Sequence, residues 1–467
     1  MSLVGKLGKF TVAVLLAVVT NKVHALPVIP GGSGYGMDTP AGRGGVVYRV
    51  TNLNASGSGS LKACIDATGP RTCIFEVSGV IALTADMAIR NGNLTIAGQT
   101  APSPGIMIRG GAFSIRGSDT LIQHLRFRVG DNPVGPDPGN RDSLKIEGTD
   151  EKPVKNVVID HCSFSWSIDE LASIWGPHDN ITFSNNIFSE PLNDSIHPTD
   201  DGTGLEAHGF GVLLGSAATG GRVTLRGNLF AHIVARNPLA RSRELVFVNN
   251  LVYDRTDMDL EVQSQDGRTI SVSAVGNQFL KGPSYGRTTK PIYLRTSGSY
   301  SLYAGSPIYL QDNYAPDTGS TLSAILSFSS GDLTPSLLSG TRVAWNSGLV
   351  ALGTANNVVY DSILKNAGAR PSDRDSADRR AVADVKSRGG QTINCVAADG
   401  SARCARNAGG WPTYAKNVRP LTLPANPSLV TASGYTNLEI WLQQLDQSLA
   451  GAALATAPRM PGGLTVH

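Results

Sequence analysis

The sequence predicts an all-β fold, a right-handed, single-stranded parallel β-helix followed by a C-terminal extension of loops and helices. Three observations lead to this prediction. One strand-like pattern occurs seven times, its copies start 22 to 42 residues apart, and several copies carry an Asn or Gly pair at the same place. A short minimal spacing between copies, with extra residues in some intervals, is typical of a solenoid whose coils carry insertions on one face.

The repeat consists of two short strands joined by a tight corner. Each copy has apolar residues at alternate positions, then a polar or Asn/Gly pair, then another apolar residue. The copies are NLTIAGQTA from Asn93, TLIQHLRFR from Thr120, NVVIDHCSF from Asn156, NITFSNNIF from Asn180, RVTLRGNLF from Arg222, ELVFVNNLV from Glu244 and SVSAVGNQF from Ser271. The 22-residue minimum fits one coil of a β-helix.

An antiparallel β-sandwich or barrel is the alternative, since these folds also have short strands and turns. They lack a shared corner, however, and the pairs that fit one here are Asn185-Asn186, Gly227-Asn228, Asn249-Asn250 and Gly276-Asn277. Asn and Gly tolerate left-handed backbone conformations, and Asn side chains that repeat from coil to coil can stack their amides in a ladder. The corner therefore favours the β-helix.

The chain divides into three predicted parts. Residues 1–25 carry Lys6 and Lys9, an apolar stretch from Phe10 to Val19, and small residues before a cleavage point, which indicates a secretory signal peptide. A membrane anchor is the alternative, but a spanning helix needs about 20 apolar residues. We therefore expect a secreted protein with a β-helix domain at 26–345 and an extension at 346–467 that packs on it.

The extension contains two helical patterns. DSADRRAVADVKSR, from Asp375, is compatible with a helix, and GYTNLEIWLQQLDQSLA, from Gly434, spaces its apolar residues for an amphipathic helix. An open β-helix end exposes unpaired strand edges, so we expect the second helix to pack on the coils or cover their end.

The cysteines predict two disulfides in an exported protein. Cys64 and Cys73 are nine residues apart, as are Cys395 and Cys404, and each pair brackets a stretch that can turn back on itself. Cys162, inside the apolar run VVIDHCSF, is predicted to be a buried small side chain rather than a reactive thiol.

Composition excludes several classes. The 41% hydrophobic content argues against disorder, and the 53 glycines follow no three-residue period, which excludes collagen. The formal net charge of +3 comes from three lysines in residues 1–25, since 40 − 3 leaves 37 basic residues against 37 acidic ones. We therefore expect no nucleic-acid partner working through a broad basic surface.

Acidic residues gather in the corner insertions. Asp169 and Glu170 follow Cys162, and further candidates in the longest intervals are Asp131, Asp137, Asp142, Asp194, Asp200, Asp201 and Glu206. Carboxylates on adjacent coils can converge on one Ca²⁺, which takes several oxygen ligands in flexible geometry. For any single Asp, a solvated turn cap is the alternative.

A set of motifs then resembles a known family. GPRTCIFEVSGVI, NLTIAGQTAP, LRFRVGD, IDHCSFSWSIDE, HGFGVLLG, RNPLAR and GYTNLEIWL follow one another along the chain. In this order they resemble the bacterial-type pectate lyases of polysaccharide lyase family 1, from about residue 33 to 447. The most specific parts are IDHCSFSW and the R-x-P-x-x-R of Arg236, Pro238 and Arg241.

The resemblance implies that (1,4)-α-D-galacturonan, as polygalacturonate or pectin, is cleaved by Ca²⁺-assisted β-elimination to 4,5-unsaturated oligogalacturonides. Arg236 matches the family's base, which removes the C5 proton, and Arg241 matches the arginine that binds the substrate carboxylate. Asp142 and Asp169 match two Ca²⁺ ligands. Because a free guanidinium has a pKa above about 12, the site must disfavour its charge, and we expect activity to rise toward alkaline pH.

Two positions depart from the family pattern. A third Ca²⁺-binding aspartate falls on Ser173, and a lysine that grips substrate falls on Phe210. We predict that Glu170 replaces the missing ligand and that His208 contacts substrate. Adjacent strand residues point to opposite faces, so Glu170 needs a corner or bulge to lie beside Asp169.

Two other function classes stay open. A polygalacturonase-type hydrolase needs aspartates that activate water and protonate the leaving oxygen, and Asp200-Asp201 is a conceivable pair. A non-catalytic β-helix that binds polysaccharide is the other class, because Ser173 and Phe210 would suit a degraded site. We expect a monomer whose partner is an acidic polysaccharide, polygalacturonate or pectin, with no contact with a membrane.

Overall fold

The computed structural model describes residues 26–215, 220–265, 267–286, 290–329, 337–354 and 357–450. The predicted signal peptide, residues 1–25, lies outside the described residues. Within the described ranges, no helix is both long enough and apolar enough to cross a membrane.

The described chain folds into a right-handed parallel β-helix, which confirms the predicted fold class. Strands are numbered in chain order, and each full coil contributes one strand to each of three parallel sheets. The first sheet contains β1 (Val46–Val50), β2 (Arg71–Phe75), β5 (Leu94–Ala97), β8 (Thr120–Gln123), β11 (Val154–Asp160), β14 (His178–Ser184), β19 (Arg222–Arg226), β22 (Glu244–Val248), β25 (Ser271–Val275) and β28 (Ile308–Gln311).

The other two sheets complete the coils. The second sheet contains β3 (Gly79–Ala82), β6 (Ile106–Arg109), β9 (Leu125–Arg128), β12 (Ser163–Ser165), β15 (Ile187–Ser189), β20 (Leu229–Ala231), β23 (Leu251–Tyr253) and β26 (Gln278–Leu280). The third sheet contains β4 (Met87–Ile89), β7 (Phe113–Ile115), β10 (Leu144–Glu147), β13 (Glu170–Trp175), β18 (Phe210–Leu214), β21 (Leu239–Ala240), β24 (Leu260–Val262), β27 (Ile292–Leu294) and β29 (Leu326–Phe328). A separate hairpin, β16 (Asp194–Pro198) and β17 (Leu205–Ala207), is inserted between β15 and β18.

The repeats stack in the predicted register except at one copy. Thr120 pairs with Leu94 and Val157, so that copy begins at Asp119, one residue earlier than the sequence pattern suggests. Asp119 has a φ of +55°, and Asn93 and Asn156, the residues that start the adjacent copies, have φ values of +54° and +58°. The left-handed residue before the strand therefore marks the start of the repeat, and Asp serves there as Asn does.

The predicted asparagine ladder is confirmed at the corner between the first and second sheets. The side-chain oxygen of each ladder residue accepts from the backbone N–H of the residue one coil below, at 2.8 to 3.2 Å. The ladder consists of Asn186, Asn228, Asn250, Asn277 and Asn313. These buried amides satisfy backbone groups that the tight corner leaves without strand partners.

Inward-facing apolar side chains fill the coils. Phe127, Phe164, Phe188 and Phe230 stack through four coils of the second sheet, with ring centroids 5.0 to 5.2 Å apart. Such offset stacking adds to the free energy gained by burying the rings. The interior is therefore a packed column, which leaves the corners as the places for chemistry.

In the part of the chain that the structure describes, five α-helices flank the coils: α1 (Leu61–Asp66), α2 (Leu322–Ile325), α3 (Val358–Asn366), α4 (Ser376–Ser387) and α5 (Asn437–Leu449). The two predicted helices correspond to α4 and α5. Leu438 and Leu442 of α5 pack on Ile74 and Ala97 of the first sheet, so this helix covers the side of the column rather than its end. The domain boundaries at 25 and 345 stay predictions.

Helix α4 is attached to the second sheet by a buried ion-pair network. The guanidinium of Arg128 donates to both Asp375 and Asp378 at 2.8 Å, and Arg126 donates to Asp378 at 3.2 Å. Both arginine side chains are fully buried. Buried ions must be paired, so this network fixes where α4 lies on the sheet.

Both predicted disulfides are present. Cys64 pairs with Cys73 and Cys395 pairs with Cys404, with Cα atoms 6.0 and 5.2 Å apart. Cys162 is a free and buried thiol, as predicted, and burial raises its pKa.

Candidate active site

Apart from Arg241, the predicted site residues lie at the corner where the second sheet passes into the third. Asp142 precedes β10, Asp169 immediately precedes β13, Glu170 and Phe210 begin β13 and β18, and Arg236 lies just before β21. These four strands are consecutive neighbours in the third sheet, so their starts are separated by steps of roughly 4.8 Å. The stacking of coils therefore brings together residues that are up to 94 positions apart (236 − 142) in the chain.

Three carboxylates meet at this corner. Asp142, Asp169 and Glu170 each offer one oxygen within 4.8 Å of the others, and Asp142 and Glu170 are buried. Burial first, and then the charge of Asp169, raise the pKa of Asp142 well above its usual value, although Ser173 donates its hydroxyl hydrogen to Asp142. A set of hard, crowded carboxylate oxygens fits a divalent cation such as Ca²⁺.

Glu170 lies at a corner of the chain, which is what the sequence pattern required for it to lie beside Asp169. Asp169 lies in the bend before β13, and Glu170 is the first residue of the strand. Strand alternation does not apply across that bend, so both carboxylates can face the same corner.

The backbone of Arg236 is held in an unusual conformation. Its φ of +66° is in the left-handed region, which costs a non-glycine residue of order 1 kcal/mol. The N–H of Val212 donates to the carbonyl of Arg236 at 2.7 Å, and the N–H of Gly211 donates to that of Ala235 at 3.0 Å. A Cβ at Gly211 would lie 2.4 Å from the oxygen of Arg236, so this close approach needs glycine.

The side chain of Arg236 lies between a carboxylate and an aromatic ring. It forms an ion pair with Glu170, and its Cζ lies 4.1 Å from the ring centroid of Phe210. Burial lowers the pKa of Arg236 to about 10, Asp169 acts in the opposite direction, and the charge of Arg241 lowers the pKa further. The guanidinium is therefore easier to deprotonate here than in water.

His208 belongs to a pair of histidines that the sequence patterns did not predict. Its Nε2 lies 2.9 Å from Asp169 Oδ1, and its ring stacks on that of His197 with centroids 3.8 Å apart. The β16–β17 hairpin produces the pair, because Pro198 lies opposite Leu205 and thus places His197 beside Glu206. The turn sequence PTDDGTG between two short strands was the available signal for this hairpin.

Arg241 lies at the opposite end of β21 from Arg236. It follows β21, donates to Gln265 Oε1 at 3.1 Å, and has its Cζ 4.9 Å from the ring centroid of Tyr300. Tyr300 is 41% exposed, and the charge of Arg241 acts on Arg236.

The alternative aspartate pair lies elsewhere. Asp200 and Asp201 occupy the exposed turn between β16 and β17. Asp201 accepts hydrogen bonds from Thr199 and from the backbone and side chain of Thr203, at 2.7 to 3.0 Å. These bonds are typical of a turn cap.

Comparison with known proteins finds relatives that are named as pectate lyases. No family model matches it. The probable pectate lyase C of Aspergillus fumigatus is 32% identical over 447 residues, which cover 92% of this chain and 97% of that protein. The probable pectate lyase C of Neosartorya fischeri is 31% identical over 445 residues and covers the same shares.

A solved structure agrees on the fold alone. The major allergen from cedar pollen superposes with a TM-score of 0.53 at 20% identity, covering 72% of this chain and 92% of that chain.

Identity above 30% over nearly the whole length of the fungal relatives is sufficient to assign the family. The chain belongs to the pectate lyase family of polysaccharide lyases.

Proposed function

We propose that this protein is a secreted pectate lyase that cleaves (1,4)-α-D-galacturonan by Ca²⁺-assisted β-elimination. The main support is the convergence of Arg236 with Asp142, Asp169 and Glu170 at one corner. The names of the fungal relatives give the substrate class, an acidic polysaccharide.

Arg236 acts as the base. In its neutral form it takes the C5 proton of the uronate, and the C–H electron pair becomes the C4=C5 double bond. The bond from C4 to the glycosidic oxygen breaks with its electron pair on that oxygen, which then takes a proton from water. Burial disfavours the protonated guanidinium before the substrate arrives. Arg241, beside Tyr300, binds a substrate carboxylate.

Asp142, Asp169 and Glu170 hold the cation. When bound, Ca²⁺ supplies positive charge that stabilises the enolate-like charge developing on the substrate carboxylate. Ser173 places a neutral hydroxyl at a position where an aspartate would supply a negative charge. We therefore expect this site to bind the cation more weakly than a site with an aspartate there. His208 contacts the substrate from the hairpin side.

Residues 1–25 direct export, residues 26–345 form the catalytic β-helix, and residues 346–467 pack on it. The mature protein acts as a monomer outside the cell. Activity that rises toward alkaline pH remains an expectation of the arginine base.

The decisive experiment is an assay on polygalacturonate with Ca²⁺ or with a chelator. We expect products that absorb in the ultraviolet, because β-elimination leaves a conjugated double bond, and we expect the chelator to abolish them. New reducing ends without this absorbance would indicate a hydrolase. Substrate binding without any product would indicate the non-catalytic class.

A further inference from the structure

A second cavity lies at a different corner of the column, between the first and second sheets. Its volume is about 310 Å³, which is at the lower end of the range for ligand pockets, about 300 to 1,000 Å³. Arg226 ends β19 at this corner, and the walls come from residues 31–33, from residues 348–352 and from α3. The candidate active site lies at the next corner along the coil.

Arg226 is the charged residue of this cavity. Its guanidinium makes no hydrogen bond or ion pair with any residue that the structure describes. Asp160 is the carboxylate that acts on its charge, but both oxygens of Asp160 are already engaged. Their partners, at 2.6 to 3.1 Å, are Ser184, Asn185, Gln123 and His161. The donors of Arg226 are therefore available to a ligand that carries a negative charge.

The rest of the lining combines hydroxyls with exposed apolar surface. The side chains of Ser33 and Ser362 line the cavity and have no hydrogen-bond partner within the described ranges. Val350 is 75% exposed and Leu352 is 43% exposed, and both also line it. Asn249 holds the backbone of Leu352 in place through bonds of 2.7 and 2.8 Å. Sugar rings offer hydroxyls and apolar C–H faces, which complement this lining.

We propose that this cavity is a non-catalytic binding site for a uronate unit of an acidic polysaccharide, with the carboxylate at Arg226. A neighbouring cavity of about 820 Å³ shares Gly31, Ser33 and Gly348 and continues past Tyr35 and Arg222, so further sugar units have room beside the first. The choice of polygalacturonate as the polymer rests on the proposed function, whereas the carboxylate preference rests on Arg226.

Calorimetric titration with trigalacturonate tests the proposal in an Arg236→Ala background, which prevents turnover. We expect two binding events. Arg226→Gln should raise the dissociation constant of one of them at least about tenfold, as expected for loss of a hydrogen bond to a charged group. The matched control is Arg90→Gln, because Arg90 is exposed and lies outside both cavities. Val350→Glu places a repelling charge at an exposed position and should have the same effect even if Arg226→Gln folds poorly.

Several outcomes would overturn the proposal. These are unchanged binding in both Arg226→Gln and Val350→Glu, equal binding of neutral galactotriose, or binding of inorganic phosphate without binding of trigalacturonate. With Arg236 present, Arg226→Gln should leave cleavage of trigalacturonate within about twofold and raise the KM for the polymer several-fold. A protein without lyase activity that still binds trigalacturonate through Arg226 would contradict the proposed function and leave this site intact.

Discussion

Glu170 and Arg236 form an ion pair across two strand spacings of the third sheet. Glu170 begins β13, Arg236 precedes β21, and Phe210 at the start of β18 lies under the guanidinium. The proposed metal ligand and the proposed base therefore contact each other. A cation bound by Glu170 would compete with Arg236 for the same carboxylate.

Glu170→Gln should separate these two roles. Because the variant loses a charged oxygen of the cation site, we expect the Ca²⁺ concentration needed for half-maximal rate to rise about tenfold. The control is Glu206→Gln, which alters the histidine pair and should leave this concentration nearly unchanged. A lower kcat at unchanged Ca²⁺ dependence would mean that Glu170 acts only through Arg236.

Arg236→Lys should lower kcat by about 10²- to 10⁴-fold, the range for loss of a positioned general base. Lys keeps the positive charge but cannot reproduce the planar guanidinium above Phe210. Formation of the ultraviolet-absorbing product measures the effect, and circular dichroism checks the fold. Full activity in Arg236→Ala, which has no basic side chain at this position, would remove Arg236 from the mechanism.

Ser173→Asp should strengthen Ca²⁺ binding and lower the thermal stability of the metal-free protein. The new carboxylate would lie beside Asp142, whose pKa is already raised by burial and by Asp169, so like charges would repel when no cation is present. We expect a lower Tm in chelator and a larger rise in Tm on adding Ca²⁺. Ser173→Asn is the uncharged control, and an equal response in both variants would contradict the prediction.

Asp378→Asn should destabilise the protein by about 3 to 5 kcal/mol, because it leaves Arg126 and Arg128 buried with less compensating charge. Urea unfolding measures the change. Asp361→Asn, on the exposed face of α3, is the control and should lie within about 0.5 kcal/mol of the unaltered protein. A small effect at Asp378 would show that the network does not hold α4.

His232 should make stability fall at alkaline pH. Burial opposes its charge, but hydrogen bonds to Asp254 and Asp384 outweigh this effect and raise its pKa to about 9. The raised pKa stabilises the fold fully below about pH 6.5, and this contribution is lost as the pH rises through about 9. We expect Tm to fall between pH 7 and 10 by more in the unaltered protein than in His232→Gln. Parallel curves would contradict the assignment.

The sequence predicted the coil architecture, and the family resemblance named Asp142, Asp169 and Arg236, which the structure brings to one corner with Glu170. Alternating strands, the Asn corner and the cysteine spacing are local signals, and each was confirmed because a β-helix repeats one local rule in every coil. The Thr120 copy was misaligned by one residue, since Asp119 does not resemble the Asn of other copies although it adopts the same backbone conformation. The insertions followed no repeat, so the stacking of His197 on His208 was not predicted.

What the sequence by itself determined is that the candidate residues lie in the insertions between the two-strand repeats, because the spacing of the repeats along the chain sets that position. Only the tertiary structure decided which of them touch. The contact of Glu170 with Arg236 depends on side chains that cross two strand spacings over Phe210, and the exposure of Arg226 to a cavity depends on α3 and residues 348–352. Both arise from segments far apart in the chain, and no local pattern encodes such contacts.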